Sequence, residues 1–556
     1  MPYYLNPFAK HDVSHFPGVL MTLEEAQAYH ASGERPESDI KDSKATEAGM
    51  ESIGDYVPYS IEGLRAEIDN DISTTGYDTS YDRKSKLINK AIQDIGMGRY
   101  QYELFCLCGF GWAADNLWLQ GVALCLPQLS ADFGINSNTV RYTTCALFVG
   151  LCIGASFWGI ASDIVGRRLA FNFTLFIAGV FGVAAGAAPD WIAACGLFSA
   201  MGFGVGGNLP VDGALFLEFL PFASANLLML LSVWWPVGQL VASLVAWGFI
   251  PNYPTNEGWR YFVYTMGALT LAMFICRFFF FHLFESPKFL LARGRQAEAV
   301  AVIHGLAYKN KTKTWLTEEI LNEICGTPDN AQQETRLSNT EIFRRFFARF
   351  SKDRISPLFS NWRVGVTTAL IWVCWATIGM GYPLFNSFLP QYFARVGKTG
   401  QTQTTYEVYR NYAIESVVGV PGSVIGAYTV DIPYVGRKGT MALSTLISAI
   451  FLFLFTISAD AKYQLAFSCV ESFFQNIMYG VLYAYTPEVF PAPNRGTGTG
   501  IASFLNRITG LCAPLVAINA GKANPNGPVY ASGSLILAAF VAMCLLPIET
   551  RGKMSL

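Results

Sequence analysis

Six ionisable side chains stand inside stretches that are otherwise apolar: Asp115, Asp212 and Arg277 in the first half of the chain, Glu415, Glu471 and Arg507 in the second. A charge at the centre of a hydrocarbon layer costs ~2.5–3.5 kcal/mol on insertion scales, so such residues face a wet cavity or a partner. A carboxylate placed there can take up a proton. A guanidinium can hold an anion or fix a carboxylate. Asp115 lies in the middle of Gly109-Phe-Gly-Trp-Ala-Ala-Asp-Asn-Leu-Trp118 and reads as a proton or cation site. Asp212 follows Gly207-Asn-Leu-Pro-Val, where Pro210 bends a helix. It reads as a second proton candidate or as the partner of Arg277, Arg507 or a backbone group. Glu471 is the third proton-coupling candidate, with Glu415 as a further cavity-lining acid. Arg277 precedes Phe278-Phe-Phe-Phe281 and reads as an ion-pair or snorkelling cation. Arg507, in Asn506-Arg-Ile-Thr-Gly510, is the partner of a carboxylate or the holder of an anionic substrate. For each acid the plainer reading is a hydrogen-bond acceptor that fixes helix packing.

A second set of charged groups lies between the apolar runs. Gly159-Ile-Ala-Ser-Asp-Ile-Val-Gly-Arg-Arg168 packs an acid, a glycine turn and two arginines between two runs. Asp431-Ile-Pro-Tyr-Val-Gly-Arg-Lys438 does much the same further on, with two extra residues between its acid and its glycine. Gly166 and Gly436 are 270 residues apart, and so are Glu218 and Glu488. A spacing that constant predicts two copies of one unit.

The elements that must position these residues are membrane helices. The chain has 556 residues, 52% of them hydrophobic and 14% charged, with a mean hydropathy of +0.31. A soluble domain carries about 25% charge, so the composition excludes an ordinary soluble enzyme. A net charge of −2 excludes a nucleic-acid-binding surface. A spanning helix needs about 20 mostly apolar residues. Such runs fall near 103–128, 142–162, 169–188, 191–216, 226–250 and 260–283, then near 363–393, 409–430, 440–459, 463–485, 498–520 and 530–548. The fold class predicted is an all-α membrane protein of twelve transmembrane helices in two pseudo-symmetric six-helix halves, residues 101–284 and 363–548. Residues 1–100 hold 17 acidic against 10 basic residues and are expected to be a largely disordered tail ending in a short amphipathic helix around 86–95. Residues 285–362 form a central loop with short helices, and 549–556 a C-terminal tail. The 12 Lys and Arg between Lys288 and Arg354 place that loop, and both termini, in the cytosol.

Several other readings fail. Gly202-Phe-Gly-Val-Gly-Gly207 has the outline of a dinucleotide loop but lies within an apolar helix, where small residues serve close packing. No phosphate-binding GxxxxGK[ST] motif occurs, and the 12 cysteines are scattered through apolar runs without metal-ligand spacing. No nucleophile–base pair is evident. An enzyme, a cofactor and a metal site are therefore not expected.

The motifs resemble those of the major facilitator superfamily. Gly159-x-x-x-Asp163-x-x-Gly166-Arg-Arg168 is similar to its loop signature between helices two and three. Phe284-Glu-Ser-Pro-Lys-Phe-Leu290 with Gly294-Arg295, Trp259-Arg260, Glu488 with Arg495-Gly496, and Pro547-Ile-Glu-Thr-Arg-Gly552 resemble the sugar-porter set. Gly96-Met-Gly-Arg-Tyr-Gln-Tyr102, Cys108-Gly-Phe-Gly-Trp-Ala-Ala-Asp-Asn116 and Asn506-Arg507 resemble the fungal-type group similar to synaptic vesicle protein two. Helix seven reads Trp372-Val-Cys-Trp-Ala376 where hexose porters carry a glutamine pair, and Phe198 stands near the place of a helix-four arginine. The resemblance implies a secondary transporter whose halves rock around a midplane site. It implies proton-coupled symport of a small organic solute or anion in the plasma membrane, by a monomer whose partners are substrate, protons and lipid. A proton-coupled exporter and a non-transporting receptor are the alternatives. In this reading Asp115 leads Asp212 and Glu471 as coupling residue, and Gln239, Trp375, Asn386 and Arg507 contact the substrate. Asp163, Arg167, Arg168, Asp431, Arg437, Lys438, Glu218 and Glu488 form latches that do not touch it.

Overall fold

The computed structural model describes residues 10–31, 59–75, 80–221, 226–281, 283–325, 355–394, 403–430, 432, 435–457, 460–490 and 495–549. Twelve helices cross the body of the molecule. In a bilayer every backbone N–H and C=O must be satisfied within the protein, and a helix does this within one segment. The first half holds α1 (Arg99–Asp132), α2 (Tyr142–Val165), α3 (Arg167–Gly186), α4 (Trp191–Phe219), α5 (Asn226–Leu231 and Trp234–Phe249) and α6 (Thr255–Phe280). The second holds α7 (Trp362–Asn386), α8 (Thr405–Thr429), α9 (Gly436–Ile457), α10 (Ala461–Val489), α11 (Arg495–Ala523) and α12 (Gly527–Cys544). Eight of these are each long and apolar enough to span a membrane. The other four are α1, α5, α8 and α10. In α1, α8 and α10 hydropathy is lowered by Asp115, Asn116 and Gln120, by Glu415, and by Glu471 and Gln475, whereas α5 is cut short by the break at Ser232–Val233. Three of these four thus carry a buried acid.

The duplication seen in the sequence is a duplication of packing. In the first half α3 packs on α6, α1 on α5, α2 on α4 and α3 on α4. In the second half α9 packs on α12, α7 on α11, α8 on α10 and α9 on α10. Each is the same pairing advanced by six helices. The halves meet along two seams, α5 with α8 and α2 with α11, which the same operation exchanges. Small residues let the backbones close up. A Cβ on Gly154 of α2 would lie 2.2 Å from the carbonyl oxygen of Phe203 in α4, and one on Gly206 would lie 2.3 Å from that of Leu151 in α2. The glycine run in α4 is thus a packing surface, as its apolar setting predicts.

One end of the bundle carries a cap, and that side is called the loop face below. Helices Pro287–Ala292, Gln296–Asn310 and Glu318–Cys325 of the central segment pack with Ile61–Thr75 and Ser80–Ile95 from the N-terminal segment. The composition of residues 1–100 led to an expectation of little structure, and the described part of that segment differs. Ser80–Ile95 buries Leu87, Ile88, Ala91, Ile92 and Ile95. Its Lys84 donates to Gln296 Oε1 at 2.7 Å. Asp94 accepts from Trp315 Nε1 at 2.8 Å and from Tyr59 at 2.9 Å. Leu20 pairs with Thr314 in an isolated parallel bridge. The apolar surface that orders this segment is supplied from over two hundred residues away, so local composition does not reveal it.

Candidate functional site

α4 is interrupted after Val205, and its second piece restarts at Asn208. The interruption brings Asn208, fully buried, against α1. Asn208 Nδ2 donates to Asp115 Oδ1 at 3.0 Å and more distantly to the carbonyl of Gly111 at 3.4 Å. The other Asp115 oxygen, Oδ2, is buried with no hydrogen-bond partner among the described residues, as is Asn208 Oδ1. A carboxylate satisfied on one oxygen and open on the other, in a low-dielectric centre, is a group able to accept a proton. The cation that acts on it most strongly is Arg507 of α11, in the opposite half.

Asp212 lies one turn further along α4 and has a fixed partner. Arg277 Nη2 donates to its Oδ2 at 2.5 Å, and both side chains are 0% exposed. The same guanidinium donates to the carbonyls of Leu107 and Phe171, each at 2.8 Å, and lies 3.5 Å over the Phe171 ring. α6 ends in a π-helical turn, Cys276–Phe280, which carries Arg277 into the first half. α1 leaves room for the pair only because residue 111 is glycine, since a Cβ there would lie 1.8 Å from Asp212 Oδ2. Of the two sequence readings of Asp212, the structure presents the ion pair with Arg277.

Between the halves runs a wall of aromatic rings. Trp112 and Trp235 stack with centroids 4.8 Å apart, and Tyr483 meets Trp235 and Trp375 edge-on at 4.6 Å each. Tyr382 and Tyr479 meet edge-on at 5.3 Å. Trp375 is held by an indole N–H bond of 2.9 Å to Thr486. Beyond the rings lies a set of amides and acids. Gln239 of α5 donates to Glu415 of α8 at 3.3 Å, and Asn386 of α7 donates to Gln475 of α10 at 2.9 Å. Gln120 of α1 donates to Tyr382 at 2.8 Å and accepts from Tyr412. Glu471 of α10 is buried beside Glu415. Gln239, Trp375, Asn386 and Glu471 therefore share one central region. Arg507 approaches it from α11, where it acts on Tyr479 and Tyr483.

Two latches flank the loop face. Arg167 Nη1 lies 2.8 Å from Glu218 Oε1, and Arg437 Nη2 lies 2.9 Å from Glu488 Oε1. Gly166 and Gly436 take φ of +118° and +61°, a region where other residues are strained, and so turn the chain sharply into α3 and α9. Each helix start is capped by a distant glutamate. Glu285 accepts from the backbone N–H of Arg167 and Arg168 at 3.0 and 3.2 Å, and Glu549 from those of Arg437 and Lys438 at 3.1 Å each. A carboxylate at a helix N-terminus meets unpaired N–H groups and the positive end of the dipole. Burial nevertheless pushes the Glu285 carboxyl above its ordinary range, with the Ser286, Arg168 and Arg167 N–H groups opposing the shift. Arg168 and Lys438 also reach the carbonyls of Leu283 and Leu546. The cap touches the first latch: the Tyr81 phenol is pushed up to about 12 by burial and then by Glu218. Asp163 lies in the last turns of α2, with its side chain outside the described residues, and Asp431 lies outside them altogether.

Sequence reasoning gave no role to Glu285 and Glu549, although both stand in the quoted Phe284-Glu-Ser-Pro-Lys and Pro547-Ile-Glu-Thr-Arg segments. Their place opposite the two glycine turns was the missing signal. It also missed Arg141, 1% exposed at the far face, which donates to Gln391 Oε1 at 2.9 Å and to the carbonyl of Ala517 at 2.8 Å and so ties the halves together.

The chain was compared with known proteins. The family described as sugar (and other) transporter matches residues 102–554. A relative called MFS siderochrome iron transporter 1, from Ceriporiopsis subvermispora (strain B), is 43% identical over 495 residues, covering 86% of this chain and 93% of its own. A synaptic vesicle 2-related protein of Xenopus laevis is 28% identical over 492 residues, covering 84% and 82%. Among solved structures, the proton:xylose symporter XylE superposes with a TM-score of 0.58 at 19% identity, covering 82% of this chain and 98% of that one. That last likeness is one of fold.

Proposed function

This chain belongs to the sugar (and other) transporter family of the major facilitator superfamily, and on that premise we propose that it is a proton-coupled secondary transporter for a small organic solute. It is an integral, multi-pass membrane protein and not an enzyme. The observation that carries the proposal is Asp115, a buried carboxylate in the middle of α1 with one oxygen bound by Asn208 and the other unpartnered. Ionised, it attracts Arg507 across the seam between the halves. Protonated, it releases that guanidinium for an anionic group on the cargo. Proton and cargo thus favour the same arrangement, which is the requirement for symport. Trp112, Trp235, Trp375 and Tyr483 offer the cargo flat apolar faces, while Gln239 and Asn386 offer amides.

The architecture supports alternating access, in which the two halves, joined along α5/α8 and α2/α11, rock about the central region. The Arg167–Glu218 and Arg437–Glu488 pairs act as latches that bias one arrangement. The basic central segment supports a cytosolic loop face, and the plasma membrane is the setting that suits uptake. The name of the Ceriporiopsis subvermispora relative, a siderochrome iron transporter, supports an organic cargo. Uptake into proteoliposomes tests the proposal with sugars, phosphate, aromatic carboxylates and an iron siderochrome, each with and without an inward proton gradient. Accumulation of one class above its outside concentration only with the gradient supports it. Gradient-independent equilibration of every transported solute contradicts proton coupling.

A further inference from the structure

The second half holds two carboxylates with no visible means of support. Glu415 of α8 is 0% exposed and Glu471 of α10 is 1% exposed. Glu415 Oε2 accepts from Gln239 Nε2 at 3.3 Å, but among the described residues its Oε1 has no hydrogen-bond partner, and neither oxygen of Glu471 has one. The charge of Glu415 acts on Glu471. The other groups acting on them are neutral: Ser472, Gln239 and Gln475. The titratable groups that face the pair are equally uncharged near neutrality. They are Tyr382 of α7, Tyr412 of α8, and Cys469 of α10. Tyr479 of α10 faces Glu471 as well. From α9, Ser448 reaches the backbone carbonyl of Glu471 at 3.4 Å. Asp115 differs here, since Arg507 stands across from it. Two like charges cannot both persist in such a place without a cation. A proton taken up by either acid removes one of the two charges.

We propose that Glu415 and Glu471 form a second proton-binding site, a carboxylate dyad in the half opposite Asp115, whose hold on its proton is set by contact between α5 and α8. Gln239 belongs to the first half and Glu415 to the second, so their hydrogen bond exists only while that seam is closed. An amide N–H on a carboxylate oxygen favours the ionised form. Opening the seam withdraws that donor and tightens the dyad's grip on its proton, and closing it loosens the grip. The proton enters from and leaves to water at whichever face is open. The dyad itself does not depend on the transporter reading. Its link to rocking of the halves does.

Infrared difference spectroscopy of the full-length protein in lipid nanodiscs tests the dyad without any substrate. On a shift from neutral to alkaline pH, the wild type is expected to lose a protonated-carboxyl C=O band. Glu471→Gln and Glu415→Gln should each remove that band, while Asp115→Asn keeps it. Gln239→Leu leaves both acids in place, removes the donor to Glu415 and should move the titration to higher pH. A band unchanged in both Glu variants, or removed by Asp115→Asn alone, overturns the proposal. Loss of the band on adding sodium at constant pH reassigns the pair to an inorganic cation and overturns it too. If a Glu variant fails to fold, a titration unmoved by Gln239→Leu has the same effect. Failure of gradient-driven uptake, by contrast, counts against the transporter reading and leaves this result standing.

Discussion

Asp115 and Asp212 are two aspartates of similar sequence setting that the fold treats in opposite ways. Asp212 meets a guanidinium through its Oδ2, and that ion pair is part of the scaffold. Removing one partner of a buried ion pair leaves an uncompensated charge and costs about 3–5 kcal/mol. Arg277→Met should therefore lower the thermal unfolding temperature of the purified protein sharply, and Asp212→Leu added to it should recover most of the loss. An Arg277→Met protein as stable as wild type would show that the pair is not structural. Gly111→Ala should destabilise by about 1–3 kcal/mol through overpacking, because its Cβ would meet Asp212 Oδ2. The sequence announces that six ionisable residues lie in the membrane, and even that Arg277 is a candidate partner for Asp212. It does not say which acid Arg277 reaches, because that depends on the π-helical turn at the end of α6 and on the interruption of α4. Both are products of packing rather than of local pattern.

At the scale of elements, the repeat in the motifs predicts the repeat in the latches, and the structure adds the glutamates that close them. Glu285 and Glu549 are not 270 residues apart, so a search at constant spacing passes over them. The cap is the element least legible beforehand. Its helix Gln296–Asn310 is held in part by His304, whose Nε2 donates to the carbonyl of Leu316 at 2.8 Å. Burial lowers the His304 imidazole from its ordinary value, with the Leu316 bond opposing. The sign follows directly. Where the unfolded segment binds a proton that the folded one refuses, stability rises with pH. The cap should therefore hold firmly above about pH 6.5, the ordinary histidine value, and loosen as pH falls below it. Hydrogen-exchange protection across residues 296–310, taken relative to the intrinsic rate at each pH, should fall on acidification in the wild type and lose that dependence in His304→Gln. An equal fall in both proteins would place the effect elsewhere.

The molecule as a whole is two copies of one six-helix packing scheme, and composition with helix-length apolar runs was enough to anticipate that. What holds the copies in one arrangement was not visible, because Arg141, Gln391 and Ala517 are remote in sequence and meet only across the seam. Arg141→Ala removes those bonds and the ring contact with Phe388 at 4.9 Å. It should shift the population toward opening at the far face. A single cysteine introduced at Ser137, whose carbonyl accepts from Gln391, should then react faster with a membrane-impermeant thiol reagent. An unchanged rate would mean that the seal lies elsewhere. The central claim is that Asp115 couples a proton to the movement of cargo between the halves. It is tested most directly by comparing wild type and Asp115→Asn in proteoliposomes, for accumulation under an inward proton gradient and for exchange of cargo across a gradient-free membrane. The account predicts that Asp115→Asn loses accumulation and retains exchange. Full gradient-driven accumulation by Asp115→Asn would contradict it.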